Sequence, residues 1–320
     1  MLTKQQVLSW REAGFVCVDG LFAPEVVLAA VKESEEIFPQ PSPHESAAEL
    51  RERYSGRSAS IGIGRPDIVF PYASPALNAM TLEPRLITAA TQLLGETSSS
   101  NLRLTQSLLW AKYGADNPLG KRWVVHGERF DHGGDQPLHC DFGDNNLAHP
   151  PEDQHDTVSC IVFLDDSSVT GGATGVVPRD NEFVSSIWPL PSPSHQTPTS
   201  MPQLYEREYG VSATRGTAFL YRHDTWHRGT AVNLGHLRRT LGVVYRRQEA
   251  EWVQFSTWTH DYQGKLKAAM PGFTPLQRQM LGFPAVGSSY WTPRTVEAVL
   301  ARYPGMDMSP YLNTKLAARM

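Results

Sequence analysis

Before residue 100 the apolar positions keep a helical rhythm, and after it they do not. Thr3 caps a short helix that runs through Trp10 to Ala13 and stops at Gly14, and Phe15-Val16-Cys17-Val18 follows as a strand. Val26, Val27, Ala30, Val31 and Ile37 then recur every three or four positions. That spacing predicts a helix opened by Pro24 and ended by Pro39, Pro41 and Pro43. A second stripe, Leu77, Met80, Leu86, Ala90 and Leu93, predicts helix from Pro75 to Leu94, divided in two by Pro84. From about Leu102 to Gln248 the texture becomes short β-branched and aromatic runs between Gly, Pro, Asn and Asp turns, the pattern of a sandwich or barrel. The clearest strands are Leu104–Tyr113, Thr157–Leu164, Thr217–Tyr221 and Thr240–Arg246. Pro189–Pro202, rich in Pro and Ser, reads as a long loop or lid, and helix returns at Pro275–Leu281 and Pro293–Tyr303.

The chain of 320 residues, 40% apolar and 19% charged, can bury a full core. We expect one catalytic domain over residues 1–320, with a helical flank at 1–100, a β core at 101–248 and a helical extension at 249–320. Lys and Arg number 29 against 33 Asp and Glu, a net charge of −4, which offers no basic surface for nucleic acid or an anionic membrane. No run approaches 18 apolar residues, and the amino terminus lacks the apolar stretch of a secretory signal. Cys17, Cys140 and Cys160 are too few and too scattered for a disulfide framework. The expectation is a soluble cytoplasmic protein whose partner is a small molecule; the sequence is silent on oligomeric state.

Gln136-Pro137-Leu138-His139-Cys140-Asp141 holds a His-x-Asp pair in extended context, where residues two apart share a face. His139 and Asp141 can therefore hold one ion, while Cys140 points away and packs. A third ligand is needed. His227 is the candidate, in the turn after the strand Thr217–Tyr221 and eleven residues before Arg238. Two histidines and a carboxylate on one face of iron leave positions for a chelating cosubstrate and dioxygen, the facial triad of non-haem Fe(II) oxygenases. An arginine in the same cavity supplies the fork that the far end of a dicarboxylate requires. Together the parts suggest 2-oxoglutarate.

This ordered set resembles the phytanoyl-CoA dioxygenase family of Fe(II)/2-oxoglutarate oxygenases. The likeness rests on Gly14-Phe15-Val16-Cys17-Val18-Asp19-Gly20-Leu21-Phe22, His139-x-Asp141, Gly171-Gly172-Ala173-Thr174-Gly175-Val176-Val177-Pro178, and His227 with Arg238. The resemblance implies a mainly β (α+β) fold, a double-stranded β-helix (jelly roll) buttressed by N- and C-terminal helices. It implies an oxidoreductase, a dioxygenase with metal ligands His139, Asp141 and His227, using Fe(II), 2-oxoglutarate and O2. The expected reaction hydroxylates, or otherwise oxidises, an unactivated C–H of a small organic molecule while 2-oxoglutarate becomes succinate and CO2. Arg238 and Gln106 would bind the cosubstrate, with Thr174 as a minor hydroxyl contact. Asp141 favours hydroxylation over halogenation, since related halogenases carry a small residue there. The chain departs from the family at Gly229, where relatives often carry Ser and Thr230 is the candidate substitute hydroxyl, and at Arg179-Asp180-Asn181, which replaces Gly-Ser-His. It also has no strong Lys/Arg cluster for the phosphates of a CoA thioester.

Plainer readings stand beside these. His223 competes with His227 but suits a hydrogen bond within the turn around Asp224. Arg239 competes with Arg238, and adjacent strand residues cannot both point inward. Gln106 fits a solvated strand face equally well. His126, His132, His149 and His155 read as solvated loop residues, Arg246-Arg247 as a strand end in solvent, and most tryptophans as core. A non-catalytic β-helix protein that binds a ligand or senses iron, or a hydrolytic zinc site, would have no task for Arg238.

Overall fold

A computed structural model of the chain describes residues 1–54, 66–114, 124–125, 128–129, 134–141, 155–180, 182–187, 195–250, 267–268, 270–275, 278 and 283–312. Its amino-terminal part follows the hydrophobic pattern closely. Helix α1 (Lys4–Glu12) starts at Thr3, whose hydroxyl accepts from the Gln6 amide while the Gln6 side chain reaches back to the cap, and Gly14 turns the chain at φ 90° into β1 (Phe15–Val18). Helix α2 (Pro24–Ser34) carries Pro in its first turn. Pro84 divides α4 (Pro75–Thr81) from α5 (Pro84–Leu93). Helix α3 (Ala47–Tyr54), which the sequence pattern did not suggest, buries Leu50 in the main core and has too short an apolar face to read.

The strands that follow are β2 (Leu102–Tyr113), the two-residue pair β3 (Val124–Val125) and β4 (Glu128–Arg129), β5 (Thr157–Phe163), β6 (Thr174–Val177), β7 (Tyr209–Val211), β8 (Ala218–Tyr221), β9 (Trp226–Gly229) and β10 (Leu237–Arg247). They form two larger antiparallel sheets, a five-stranded one in the order β1-β8-β5-β10-β2 and a three-stranded one in the order β7-β6-β9. The amino-terminal β1 is thus the outer strand of the large sheet. Helix α6 (Pro293–Arg302) packs in a separate core with Phe283, Trp291 and Tyr311, whereas most of the expected helix at Pro275–Leu281 lies outside the described residues. No helix among the described residues is long and apolar enough to cross a membrane.

Strand alternation gives the large sheet two different faces. Val16, Val18, Val158, Cys160, Val162, Ala218, Leu220, Leu241 and Val243 form one, and they bury against Trp10, Val27, Ala30, Leu77, Met80, Leu86 and Ala90 from the amino-terminal helices. Each Val, Leu and Met among them contributes on the order of 1.5–3 kcal/mol of transfer free energy. The opposite face presents Phe15, Ile161, Phe163, Phe219 and Tyr221, which meet Val176 and Val211 of the small sheet. The register adds Arg238, Thr240 and Val244 on β10, paired with Lys112, Trp110 and Gln106 on β2, to this inner face.

Candidate metal centre

The His-x-Asp segment is a short extended stretch and not a full strand. Bridges pair His139 with His227 and Leu138 with Gln196, and Asp141 lies in the turn just beyond. The two His139–His227 backbone hydrogen bonds, 3.0 and 2.9 Å, attach the segment to the free edge of β9. Further clips secure it. The Gln136 side chain accepts from the Gly229 amide at 2.8 Å, Asp135 accepts from the Ala231 amide at 2.7 Å, and Arg228 joins Asp135 and Glu208 at 2.6 Å each. Cys140 turns away as expected, fully buried with Leu138, Val177 and Trp226, its thiol 3.4 Å from the Asp224 carbonyl.

His139, Asp141 and His227 converge, each offering one ligand atom, with all three atoms within 4.8 Å of one another and His227 Nε2 3.8 Å from Asp141 Oδ1. His139 Nδ1 lies 2.9 Å from the Pro137 carbonyl and His227 Nδ1 3.0 Å from the Thr225 carbonyl. A carbonyl can only accept, so each ring carries its proton on Nδ1 and its lone pair on Nε2, the tautomer a metal needs. Burial would raise the Asp141 carboxyl, but the imidazoles of His227, His223 and His139 and the Tyr221 hydroxyl outweigh it and hold the group below its ordinary value. Two neutral imidazoles and one carboxylate suit a divalent first-row ion and leave positions open to further ligands.

Tyr221 is a site residue that sequence reasoning passed over. Its hydroxyl donates to Asp141 Oδ2 at 2.9 Å, and its ring lies 4.6 Å from that of His227. Burial and the neighbouring carboxylate push its phenol well above the usual tyrosine range, so it stays a donor. The signal was present, since Tyr221 ends the strand that leads into the His227 turn and alternates with Phe219 toward the inside. Lys112, also missed, is buried and donates to the carbonyls of Gly134, Gly229 and Thr230 at 2.8, 3.1 and 2.8 Å, bracing the His139 segment against β9. A lone lysine within an otherwise apolar strand end marked it.

Arg238 and Arg239 part as alternation requires. Arg239 faces the helices, completely buried, with Asp165 at 2.8 and 2.9 Å and with the Val31 carbonyl and Ser34 hydroxyl at 3.0 Å. Arg238 faces the inside at 9% exposure, and its Nε has no hydrogen-bond partner among the described residues. Burial pushes its pKa down to about 10, with Asp165 acting weakly the other way. Gly172, at φ 70°, admits it, since a Cβ there would come within 3.0 Å of Arg238 Cδ and 2.6 Å of Val232.

The remaining expected residues divide. Gln106 is half-buried, in the cross-strand row that runs through Val244 and Ser159 to Tyr221. The Thr174 hydroxyl is buried opposite Gly229, without a partner among the described residues. Thr230 gives its hydroxyl to the Ala173 carbonyl at 2.8 Å and so cannot replace a serine at Gly229. His223 is buried beside Asp141 and outside the converging set. Arg179 takes Asp224 Oδ2 at 3.3 Å and its carbonyl at 2.7 Å, which gives the departure at 179–181 a structural task. His155 corrects the solvated reading: it is half-buried, edge-on to Trp10 at 5.2 Å. Arg247 likewise meets Glu96 at 3.2 Å instead of facing solvent alone. His126, His132, His149 and Trp123 lie outside the described residues, as do residues 189–194 of the stretch Pro189–Pro202.

Paired antiparallel sheets, a two-histidine, one-carboxylate cluster and a buried arginine on the same side define the class. The family model described as phytanoyl-CoA dioxygenase (PhyH) matches residues 10–240, and the chain belongs to that family. It is 27% identical over 211 residues to an ectoine dioxygenase from Bordetella bronchiseptica, a match that covers 66% of this chain and only 58% of that enzyme. Among solved structures, its fold is similar to the nogalamycin-pathway epimerase SnoN in complex with Fe3+, alpha ketoglutarate and nogalamycin RO, at TM-score 0.52 and 18% identity, over 90% of this chain and 96% of that one. It is also similar to EctD from S. alaskensis with 2-oxoglutarate and 5-hydroxyectoine, at TM-score 0.50 and 17% identity, over 77% and 76%. At these identities the structural likeness speaks for the fold.

Proposed function

We propose that this chain is an Fe(II)/2-oxoglutarate-dependent dioxygenase that oxidises an unactivated C–H of a small organic molecule, with hydroxylation as the outcome. The two sheets are read as the walls of a double-stranded β-helix, and residues 1–320 as one catalytic domain working in the cytoplasm. The observation that carries the proposal is Arg238, a buried guanidinium whose Nε has no partner among the described residues and which reaches toward β9, the strand of His227, where a Cβ on Gly229 would lie 3.6 Å from its Nη2. An unpaired buried charge is costly, so its retention points to an anion that arrives with the cosubstrate. A dicarboxylate chelating the metal at one end presents its other carboxylate to such a group.

In this reading His139, Asp141 and His227 hold the iron, and the bound iron with 2-oxoglutarate and O2 supplies the oxidising chemistry, releasing succinate and CO2. The chain's own work is geometric. Tyr221 fixes the Asp141 carboxylate, while the carbonyls of Pro137 and Thr225 fix the two imidazoles. Arg238 and the Thr174 hydroxyl receive the far carboxylate, and Gln106 lines the pocket from the row that ends at Tyr221. Phe15, Phe219 and Val176 form an apolar wall that keeps water from the inner face. Ectoine, the substrate class named for the Bordetella relative, is a reasonable first compound in a panel of small polar molecules.

The test is succinate formation by the purified chain with Fe(II), 2-oxoglutarate, O2 and that panel. His139→Ala, Asp141→Ala and His227→Ala should each abolish it. Turnover unchanged by these substitutions would overturn the proposal. Tight binding of panel compounds with no succinate formed, coupled or uncoupled, would favour a binding protein instead.

A further inference from the structure

The centre contains a fourth aromatic ring that the reaction, as described, does not use. His195 lies within the Pro- and Ser-rich stretch Pro189–Pro202, 8% exposed, and its ring stacks on that of His139 with centroids 4.8 Å apart and planes inclined by 11°. The arrangement is built by the backbone. Leu138 bridges Gln196, and the same antiparallel register pairs the preceding residue, His195, with His139. The Gln196 amide donates to the Leu138 carbonyl at 2.7 Å, and the Tyr205 hydroxyl accepts from the Leu138 amide at 3.0 Å while donating to the Gln196 carbonyl at 2.8 Å. His195, His139, His227 and Tyr221 therefore stand as a row of four rings, with successive centroids 4.8, 4.5 and 4.6 Å apart.

The stacking angle decides what His195 can do. An imidazole lone pair lies in the plane of its ring, so an ion bound by His139 lies in the His139 plane. A ring stacked nearly parallel to that plane cannot aim a lone pair at the same ion. His195 is thus not a fourth ligand. What it touches is the outer face of His139, as Tyr221 touches His227. The Nδ1 bond to Pro137 sets where the His139 ring points but leaves it free to tilt about that bond; the His195 ring, stacked flat on it, removes the tilt, which the His227 ring at 46° cannot do.

We propose that His195 is a positioning residue of the metal centre, its ring holding the plane of His139 and so the direction of the Nε2 lone pair. The proposal rests on the reading of His139, Asp141 and His227 as metal ligands. It predicts that a flat ring matters at position 195 and that the imidazole nitrogens matter little for metal affinity.

The experiment measures equilibrium Co(II) binding and the visible d–d absorption of the cobalt protein for the native chain, His195→Phe and His195→Leu, with thermal melts of the metal-free proteins as a control of folding. His195→Leu fills the site without a flat ring and should weaken Co(II) binding about 10- to 100-fold, the usual cost of losing a group that orients a metal ligand. Its absorption should change shape. His195→Phe should keep both affinity and spectrum near those of the native chain. If His195→Leu does not fold, His195→Asn provides the comparison without a ring. Native-like binding by the ring-less variant, or equal losses for Phe and Leu, would overturn the proposal while leaving the metal site intact. A native chain that binds no Co(II), matched by His139→Ala, would overturn the ligand reading itself and this inference with it.

Discussion

The two faces of the five-stranded sheet are built from the same strands and treat charge in opposite ways. On the outer face, Arg239 spends its guanidinium on Asp165, the Val31 carbonyl and the Ser34 hydroxyl, with Glu35 4.0 Å away. One residue earlier on the inner face, Arg238 is nearly as buried, and its Nε has no partner among the described residues. Buried polar groups that serve only the fold are paired, because an unpaired one costs free energy with no return. The contrast gives Arg239 a structural task and leaves Arg238 the arginine to which the proposed function assigns the cosubstrate. The paired Arg179, Arg222 and Asp224 beside the amino-terminal corner belong with Arg239, whereas the Thr174 hydroxyl, without a partner among the described residues, belongs with Arg238.

Substitutions at the two arginines are the strongest way to break this comparison. Arg239→Met strands the Asp165 carboxylate in the core and should cost about 3–5 kcal/mol of stability in denaturant titrations. A loss under 1 kcal/mol would mean that the pair is not what holds α2 to the sheet. Arg238→Met should leave the metal-free protein as stable as the native chain or more so. It should raise the KM for 2-oxoglutarate by an amount equivalent to about 2–5 kcal/mol, since it deletes the partner of a buried carboxylate. An unchanged KM would place the cosubstrate elsewhere. Tyr221→Phe removes one hydrogen bond to Asp141 and should weaken metal binding about 10- to 100-fold, with little effect on stability, as measured by competition with a chelator.

The smallest effect concerns pH on the paired side. Burial, together with Arg222, Arg179 and Arg11, pulls the His155 pKa down to about 4, against the opposing pull of Asp224. The unfolded chain takes up this proton first, near pH 6.5, so stability should fall as pH drops from about 6.5 to about 4 and level off below that. Because the ring is half-buried, the loss should be about 1–2 kcal/mol, well short of the full shift. His155→Gln should flatten that part of the stability curve. An undiminished acid slope in the variant would assign it to other groups.

Much of this was legible in the sequence because the signals were local. Pro84 does divide two helices, the Thr3 cap and Gly14 stop bound α1, and Thr157, Tyr221 and Arg246 lie within a residue of observed strand ends. Helix α3 was not legible, since one buried leucine gives no periodicity. Arg247 and His155 were read as solvated because polar residues near turns usually are, and their partners Glu96 and Trp10 are far away in the chain. Thr230 was read as a free hydroxyl, and only the Ala173 carbonyl on the neighbouring strand shows it to be spent.

The sequence by itself determined the alternation that sends Arg238 and Arg239 to opposite faces and sets His139 and Asp141 two residues apart, because side-chain direction in an extended chain is a property of the backbone repeat. It could not say which face is the inside or what waits there. Register decided that: it brought His227, 86 residues beyond Asp141, against His139, set the Tyr221 hydroxyl on Asp141, gave Arg239 its carboxylate and left Arg238 without one among the described residues. Such pairings depend on the whole sheet settling into one alignment, and no stretch of the chain contains that information alone.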